Sequence, residues 1–182
     1  MSILTDIKHW FGHWELKRSN IERKRKHQVF NLDDAKRITI LFDGTLPADI
    51  KKVKAFVSSL SKGKDMVTVL GYVNEKDKSF EHMSSLHFDF FSNQELNWYG
   101  KPQGMIIQNF LKEEYDILID LTLKKFYPLS YMAVASPAKF KVGRSPNDIP
   151  VFDLSIETNE KTDLSGLIHD IHHYLKLIKP KH

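Results

Sequence analysis

Residues 115–144, YDILIDLTLKKFYPLSYMAVASPAKFKVGR, constrain the fold more than any other stretch of this chain. Ile117, Leu118, Ile119 and Leu121 form a nearly unbroken apolar run. A strand covered by helices on both faces needs such a run, whereas a half-exposed strand alternates. Pro128 suits the first turn of a helix, where its missing N–H is not required. Leu129, Met132 and Ala133 supply an apolar helical face, and Pro137 ends it. Ala138 to Val142 reads as the next strand, with Gly143 and Arg144 just past its end. Strand, loop, helix, strand is the repeating unit of a parallel α/β sheet.

The flanking chain repeats this pattern. Ile38–Phe42 reads as a first strand, ending in Asp43-Gly44-Thr45. Pro47 opens a helix with its apolar face at Ile50, Val53, Phe56 and Leu60, and Gly63 ends it. Met66–Val73 is a second strand, and 74–85 is a polar connection. Leu86–Phe91 is a short strand, 93–104 a loop carrying Trp98-Tyr99-Gly100, and Met105–Leu111 a helix. After a turn-rich loop at 143–150, Val151–Ile156 is the last strand. Thr162 or Asp163 caps a final helix, whose stripe is Leu164, Leu167, Ile168, Ile171, Leu175 and Ile178. The expectation is an α/β domain over 37–182. Its mostly parallel sheet has about five or six strands with helices on both faces, a Rossmann-like arrangement.

Ligands in such folds sit at the carboxyl ends of strands. The candidate crevice residues are therefore Asp43, Gly44, Thr45, Asp120, Thr122, Lys124, Gly143 and Arg144. Turn chemistry and helix capping account for the same residues without any ligand.

The pattern of Tyr115–Arg144, with its YD-apolar-apolar-ID-apolar start and VGR end, resembles the N-terminal, acceptor-side domain of heptosyltransferase-type GT-B glycosyltransferases. A weaker resemblance covers Arg37–Tyr72. It implies a Rossmann-like fold and a sugar- or nucleotide-handling crevice. There Asp43 would be the candidate base, and Lys124 and Arg144 would hold phosphate or an acidic sugar. Those enzymes follow their first strand with a Gly-Asp turn, where this chain has Asp43-Gly44. They also add a donor-binding second domain, for which this chain leaves no room. The chain further resembles short bacterial proteins of an uncharacterised family, which implies no function.

The charge is unevenly placed. Residues 1–30 hold seven Lys/Arg against three acids, a surplus equal to the +4 of the whole chain. Residues 1–36 therefore read as a basic amphipathic arm and link, beside a neutral body. Ile3, Leu4, Ile7, Trp10, Phe11 and Trp14 recur at helical spacing. Lys17, Arg18, Arg23, Lys24, Arg25 and Lys26 follow. Gly12 weakens this helix by about 1 kcal/mol relative to Ala. Three roles fit the arm. Trp10, Phe11 and Trp14 dock on the protein's own domain or on a second copy. The basic residues neutralise phosphates of a nucleic acid. Or Trp and Phe lie in a membrane surface above anionic headgroups.

Several motifs are missing. LFDGT at 41–45 is close to a phosphatase D-x-D-G-T loop, but Leu41 holds the nucleophile position. No GxxxxGK[ST], no GxGxxG after a strand and no GxSxG occurs. The chain has no cysteine, which removes disulfides and Cys-zinc sites. His169 and His173 lie four apart on the final helix, turned away from its apolar stripe. They read as exposed, with adventitious nickel or zinc binding and no resident metal. Trp98-Tyr99-Gly100 reads as a loop aromatic pinned to the core, with base or sugar stacking the alternative. No signal peptide and no membrane-spanning run is read, so the expected location is cytoplasmic. The leading expectation is a non-catalytic binding protein, without a cofactor, whose arm engages ribosomal or other structured RNA. The alternatives are a glycosyltransferase-like sugar- or nucleotide-binding protein and a membrane-peripheral adaptor.

Overall fold

The computed structural model describes residues 10–12, 14–16, 18, 25–74, 87–145, 150–159 and 161–179. In chain order these form β1 (Arg37–Asp43), α1 (Pro47–Leu60), β2 (Met66–Tyr72), β3 (Phe88–Phe91), α2 (Met105–Lys112), β4 (Ile117–Asp120), α3 (Tyr127–Ala135), β5 (Phe140–Ser145), β6 (Leu154–Glu157) and α4 (Leu164–Leu177). The strands make one six-stranded sheet in the order β3-β2-β1-β4-β5-β6, and every pairing is parallel. This is the doubly wound α/β arrangement expected from the apolar runs. The order reverses between β1 and β4, where such sheets open a crevice.

Side chains alternate across the sheet. Ile38, Ile40 and Phe42 of β1 join Ile117, Ile119 and Leu121 on one face. Against that face pack Ile50, Val53, Phe56 and Leu60 of α1, and Leu164, Leu167, Ile171 and Leu175 of α4. Each such side chain contributes about 1.5–3 kcal/mol by leaving water. Leu41, Leu70 and Leu118 point the other way, into a second layer with α2 and α3. Pro47 starts α1, and Asp163 caps α4 by accepting from the Gly166 N–H at 2.9 Å.

α3 departs from a one-sided amphipathic helix. Seven of its nine residues are buried. The sheet covers one side, and the arm accounts for part of the rest. Residues 10–12, 14–16 and 18 are helical, and their contacts follow α3 from its first residue. Gly12 meets the Tyr127 ring, where an added Cβ would stand 2.9 Å from Cε2. Glu15 ion-pairs with Lys101, whose Nζ lies 5.1 Å from the Tyr131 ring centre. Leu16 is buried in the second layer. Beyond the far end of α3, the Arg25 guanidinium donates to the Lys139 carbonyl at 2.7 Å and to the Asp153 carboxylate at 2.7 Å.

Several details differ from expectation, β5 starting at Phe140 rather than Ala138 among them. β5 does not stop at Val142 but runs to Ser145, so Gly143 and Arg144 lie within the strand. Pairing of Val142–Ser145 with Leu154–Glu157 carries it on, and the Phe152 ring fills the space that a Cβ on Gly143 would take. β6 starts at Leu154 rather than Val151. β3 begins at Phe88, preceded by His87 at φ +71°. The loop at 93–104 contains a short 3-10 turn, Asn93–Glu95, closed by reciprocal hydrogen bonds between Ser92 and Glu95. Residues 75–86 and 146–149 of the expected connections lie outside the described residues.

Candidate functional site

The strand-end residues are gathered as two small spaces on either side of Leu123 and Lys124. One, of about 170 Å³, is bordered by Asp43, Asp49, Lys124 and Leu164. The other, of about 30 Å³, is bordered by Asp120, Thr122, Lys124, Ser130 and Arg144. Gly44, Thr45 and Gly143 border neither. The Asp43 carboxylate accepts from the Thr45 N–H at 3.0 Å, so this pair makes an Asx turn. The Gly44 N–H donates to the Tyr72 carbonyl at 2.7 Å. The Arg144 guanidinium donates to the Leu123 carbonyl. Asp120 accepts from the Thr122 N–H at 2.9 Å. Burial pushes its carboxyl up to about 6, against the pull of the Thr122 N–H hydrogen bond.

A larger cleft lies beside the second of these spaces, with which it shares Lys125. Its volume is about 540 Å³, and Gly12, Asn93, Asn97, Trp98, Tyr127 and Lys125 are among the residues lining it. Tyr127 forms one wall, its ring held between Gly12 and Gly100. At the mouth the aromatic rings touch in succession. Trp10 and Phe11 are 5.0 Å apart, Phe11 and Trp98 5.5 Å, and Trp98 and Tyr99 5.1 Å, between centres. Trp98, expected to be pinned to the core, is 58% exposed, and Trp10 is 63% exposed.

Among the described residues, the arm's aromatic stripe meets the body only in part, through Phe11 against Trp98 and Tyr99. Gly12 and Leu16, four apart, meet the body, while Trp10 and Trp14, also four apart, face outward. The absence of a side chain at Gly12 lets the backbone approach Tyr127, and this decides the orientation. Ile3, Leu4 and Ile7 lie outside the described residues, as do Lys17, Arg23 and Lys24. Arg18 is exposed, its guanidinium 5.5 Å from the Trp14 ring centre, and Lys26 is exposed. Arg25 is instead held against the body. Its partner Asp153 is drawn in two directions: burial would raise its carboxyl, but hydrogen bonds from Arg25 and the Lys141 N–H bring it below the usual range.

A family model described as a family of unknown function, DUF6913, matches residues 8–178. The chain belongs to the DUF6913 family. The match takes in the arm as well as the sheet, so DUF6913 describes both parts that line the cleft. No curated protein and no solved structure matches the chain.

His169 and His173 stand exposed on α4, their rings stacked 6.4 Å apart. Among the described residues no group of three or more metal-ligating side chains occurs, and no helix is long and apolar enough to cross a membrane. Of the cleft residues, Trp98, Tyr99 and Gly100 carried a sequence signal, as an aromatic pair in a Gly- and Asn-containing loop. Asn93, Asn97, Phe126 and Tyr127 carried none, because the cleft joins segments that are distant in the chain.

Proposed function

We propose that this protein binds RNA in the cytoplasm. The arm and the aromatic mouth of the cleft form one contact surface for an unpaired stretch of a structured RNA, ribosomal RNA included. One observation carries this reading: Trp10, Phe11, Trp98 and Tyr99 form a continuous run of rings at the surface. A contiguous exposed apolar patch of this kind marks a binding face.

Rings alone would also serve a protein or a membrane partner. Two features favour bases. Trp98 and Tyr99 of this run line a concave space with amide side chains in its wall, whereas an interfacial helix lays a continuous apolar face into lipid. The charge surplus of the chain lies in the arm, where it can meet phosphates. Stacking on aromatic rings contributes about 1–3 kcal/mol per base, and every base has a face to stack. The strand-end spaces are smaller than the roughly 300–1,000 Å³ of typical small-molecule sites, so the reading rests on the cleft.

Fluorescence anisotropy with a labelled single-stranded oligoribonucleotide tests this. Affinity should fall steeply from low to moderate salt. Trp98→Ala should weaken binding by roughly 5–150-fold, the equivalent of one lost stacked base. Salt-independent binding that is indifferent to Trp98→Ala would end the proposal. Co-sedimentation of the protein with ribosomal particles tests whether the RNA is ribosomal.

A further inference from the structure

We infer that the cleft is a pocket for one nucleobase, held on its faces by aromatic rings and on its edge by the Asn97 amide. The choice of ligand rests on the RNA-binding reading. Three observations lead to it.

The first is size and lining. At about 540 Å³ the cleft falls within the range of small-molecule sites, and its walls combine aromatic rings with a few polar groups. Lys125 lies among them and can face a phosphate on the same nucleotide.

The second is Asn97. Its Oδ1 accepts from the Tyr99 N–H at 3.2 Å and from the Lys101 N–H at 2.9 Å. Two backbone donors require an oxygen there, so the amide orientation is fixed. Its Nδ2 has no hydrogen-bond partner among the described residues, and Asn97 lines the cleft. A base edge offers carbonyl or ring-nitrogen acceptors to such a donor.

The third is Tyr127. Its hydroxyl is buried without a hydrogen-bond partner. Buried polar groups are nearly always paired, so an orphan needs a reason. The ring stands close to the backbone of Gly12 on one edge and of Gly100 on the other. The ring lines the cleft, and a small shift of it toward an entering base would bring the hydroxyl to an acceptor. A neutral sugar also stacks on rings, but it would make no use of the lysine.

Saturation-transfer NMR on the full chain, with the four ribonucleoside 5′-monophosphates as probes, tests the pocket. Ribose 5-phosphate and inorganic phosphate are the controls. Base protons should receive the strongest transfer from at least one nucleotide, and neither control should displace it. Asn97→Asp keeps the acceptor that the loop needs and removes the donor, so affinity should drop about tenfold or more. Tyr127→Phe should weaken binding severalfold in a folded protein. No base signal from any nucleotide overturns the pocket. So does displacement by inorganic phosphate, or equal binding by wild type and both variants. The same variants in the anisotropy assay separate the two ideas. RNA binding without mononucleotide binding removes the pocket and leaves the RNA reading. Mononucleotide binding sensitive to Asn97→Asp, without RNA binding, upholds the pocket and removes the RNA reading.

Discussion

At the scale of single residues, Asp120 is the costliest side chain in the sheet. It closes β4 at the point where the strand order reverses and is 7% exposed. Burial raises its carboxyl from 3.8 to about 6, with the Thr122 N–H hydrogen bond offsetting only part of that. The folded pKa lies above the unfolded one, so the folded state binds the proton more tightly. Stability is then highest at low pH and falls as pH rises from about 4 through about 6. The ionised carboxylate costs about 3 kcal/mol above that window, at about 1.4 kcal/mol per pKa unit. Asp120→Asn keeps an acceptor for the Thr122 N–H and removes the charge. We expect it to gain about 1–3 kcal/mol at pH 8, a rise of several degrees in Tm for a chain of this size. The gain should shrink below pH 6 and vanish near pH 4, where wild type is itself neutral. Thermal melts across that range decide it. If Asp120→Asn were less stable than wild type at both ends, the buried charge would not be a cost to the fold.

At the scale of elements, legibility followed periodicity. α1 and α4 were readable because one apolar stripe meets one sheet face: Ile50, Val53, Phe56 and Leu60 in the first, Leu164, Leu167, Ile171 and Leu175 in the second. The buried run of β4 was readable because both of its faces are covered, which leaves no polar alternation. The docking of the arm was not, because Trp10 and Trp14 of its aromatic stripe are left outside while Gly12 and Leu16 meet the body. Gly12 looked like a weak point in a helix, yet it is the point of closest approach. The Tyr127 ring stands against it and is backed by Gly100, where an added Cβ would lie 3.3 Å from Cδ1. The cleft was not readable either, since Tyr127, Trp98 and Gly12 share no sequence neighbourhood. The seam can be tested with Gly12→Ala. Helix propensity alone would stabilise the arm by about 1 kcal/mol. The new methyl would stand 2.9 Å from the Tyr127 ring, closer than carbon atoms pack, and overpacking of that kind costs about 1–3 kcal/mol. We expect the collision to win. Hydrogen exchange at the Leu16 amide should quicken while the strand amides of β1 and β4 keep their protection. Unchanged or slower exchange at Leu16 would mean that the arm is not seated on Tyr127.

At the scale of the whole molecule, the described charges of the basic arm divide into those that hold the fold and those left at the surface. Arg25 belongs to the first group. Its guanidinium binds the carbonyls of Ala138 and Lys139 and the Asp153 carboxylate, and its side chain is 10% exposed. Asp153 has a folded pKa below its ordinary value, so its contribution is present above that ordinary value and disappears as pH falls through the folded one. Arg25→Ala should cost about 1–3 kcal/mol at neutral pH, the range for hydrogen bonds to charged groups. The deficit should narrow in melts taken below about pH 4, where an unpaired Asp of ordinary pKa is mostly protonated. Arg18 and Lys26 belong to the second group, since both are exposed. Changing either to Glu should move stability by no more than about 0.5 kcal/mol, as for most surface positions. On RNA the order reverses. Each phosphate contact to a single strand contributes about 0.7 to the slope of log affinity against log salt. Arg18→Glu and Lys26→Glu should each flatten that slope by about this amount or more, and Arg25→Ala should leave it unchanged. The two readouts together discriminate where either alone would not. A variant that melts early and keeps the salt slope has lost a latch, and one that melts normally with a flattened slope has lost a phosphate contact. If Arg25→Ala flattened the slope with no loss of stability, the guanidinium would be a ligand contact, and the arm would not be locked to the sheet at Asp153.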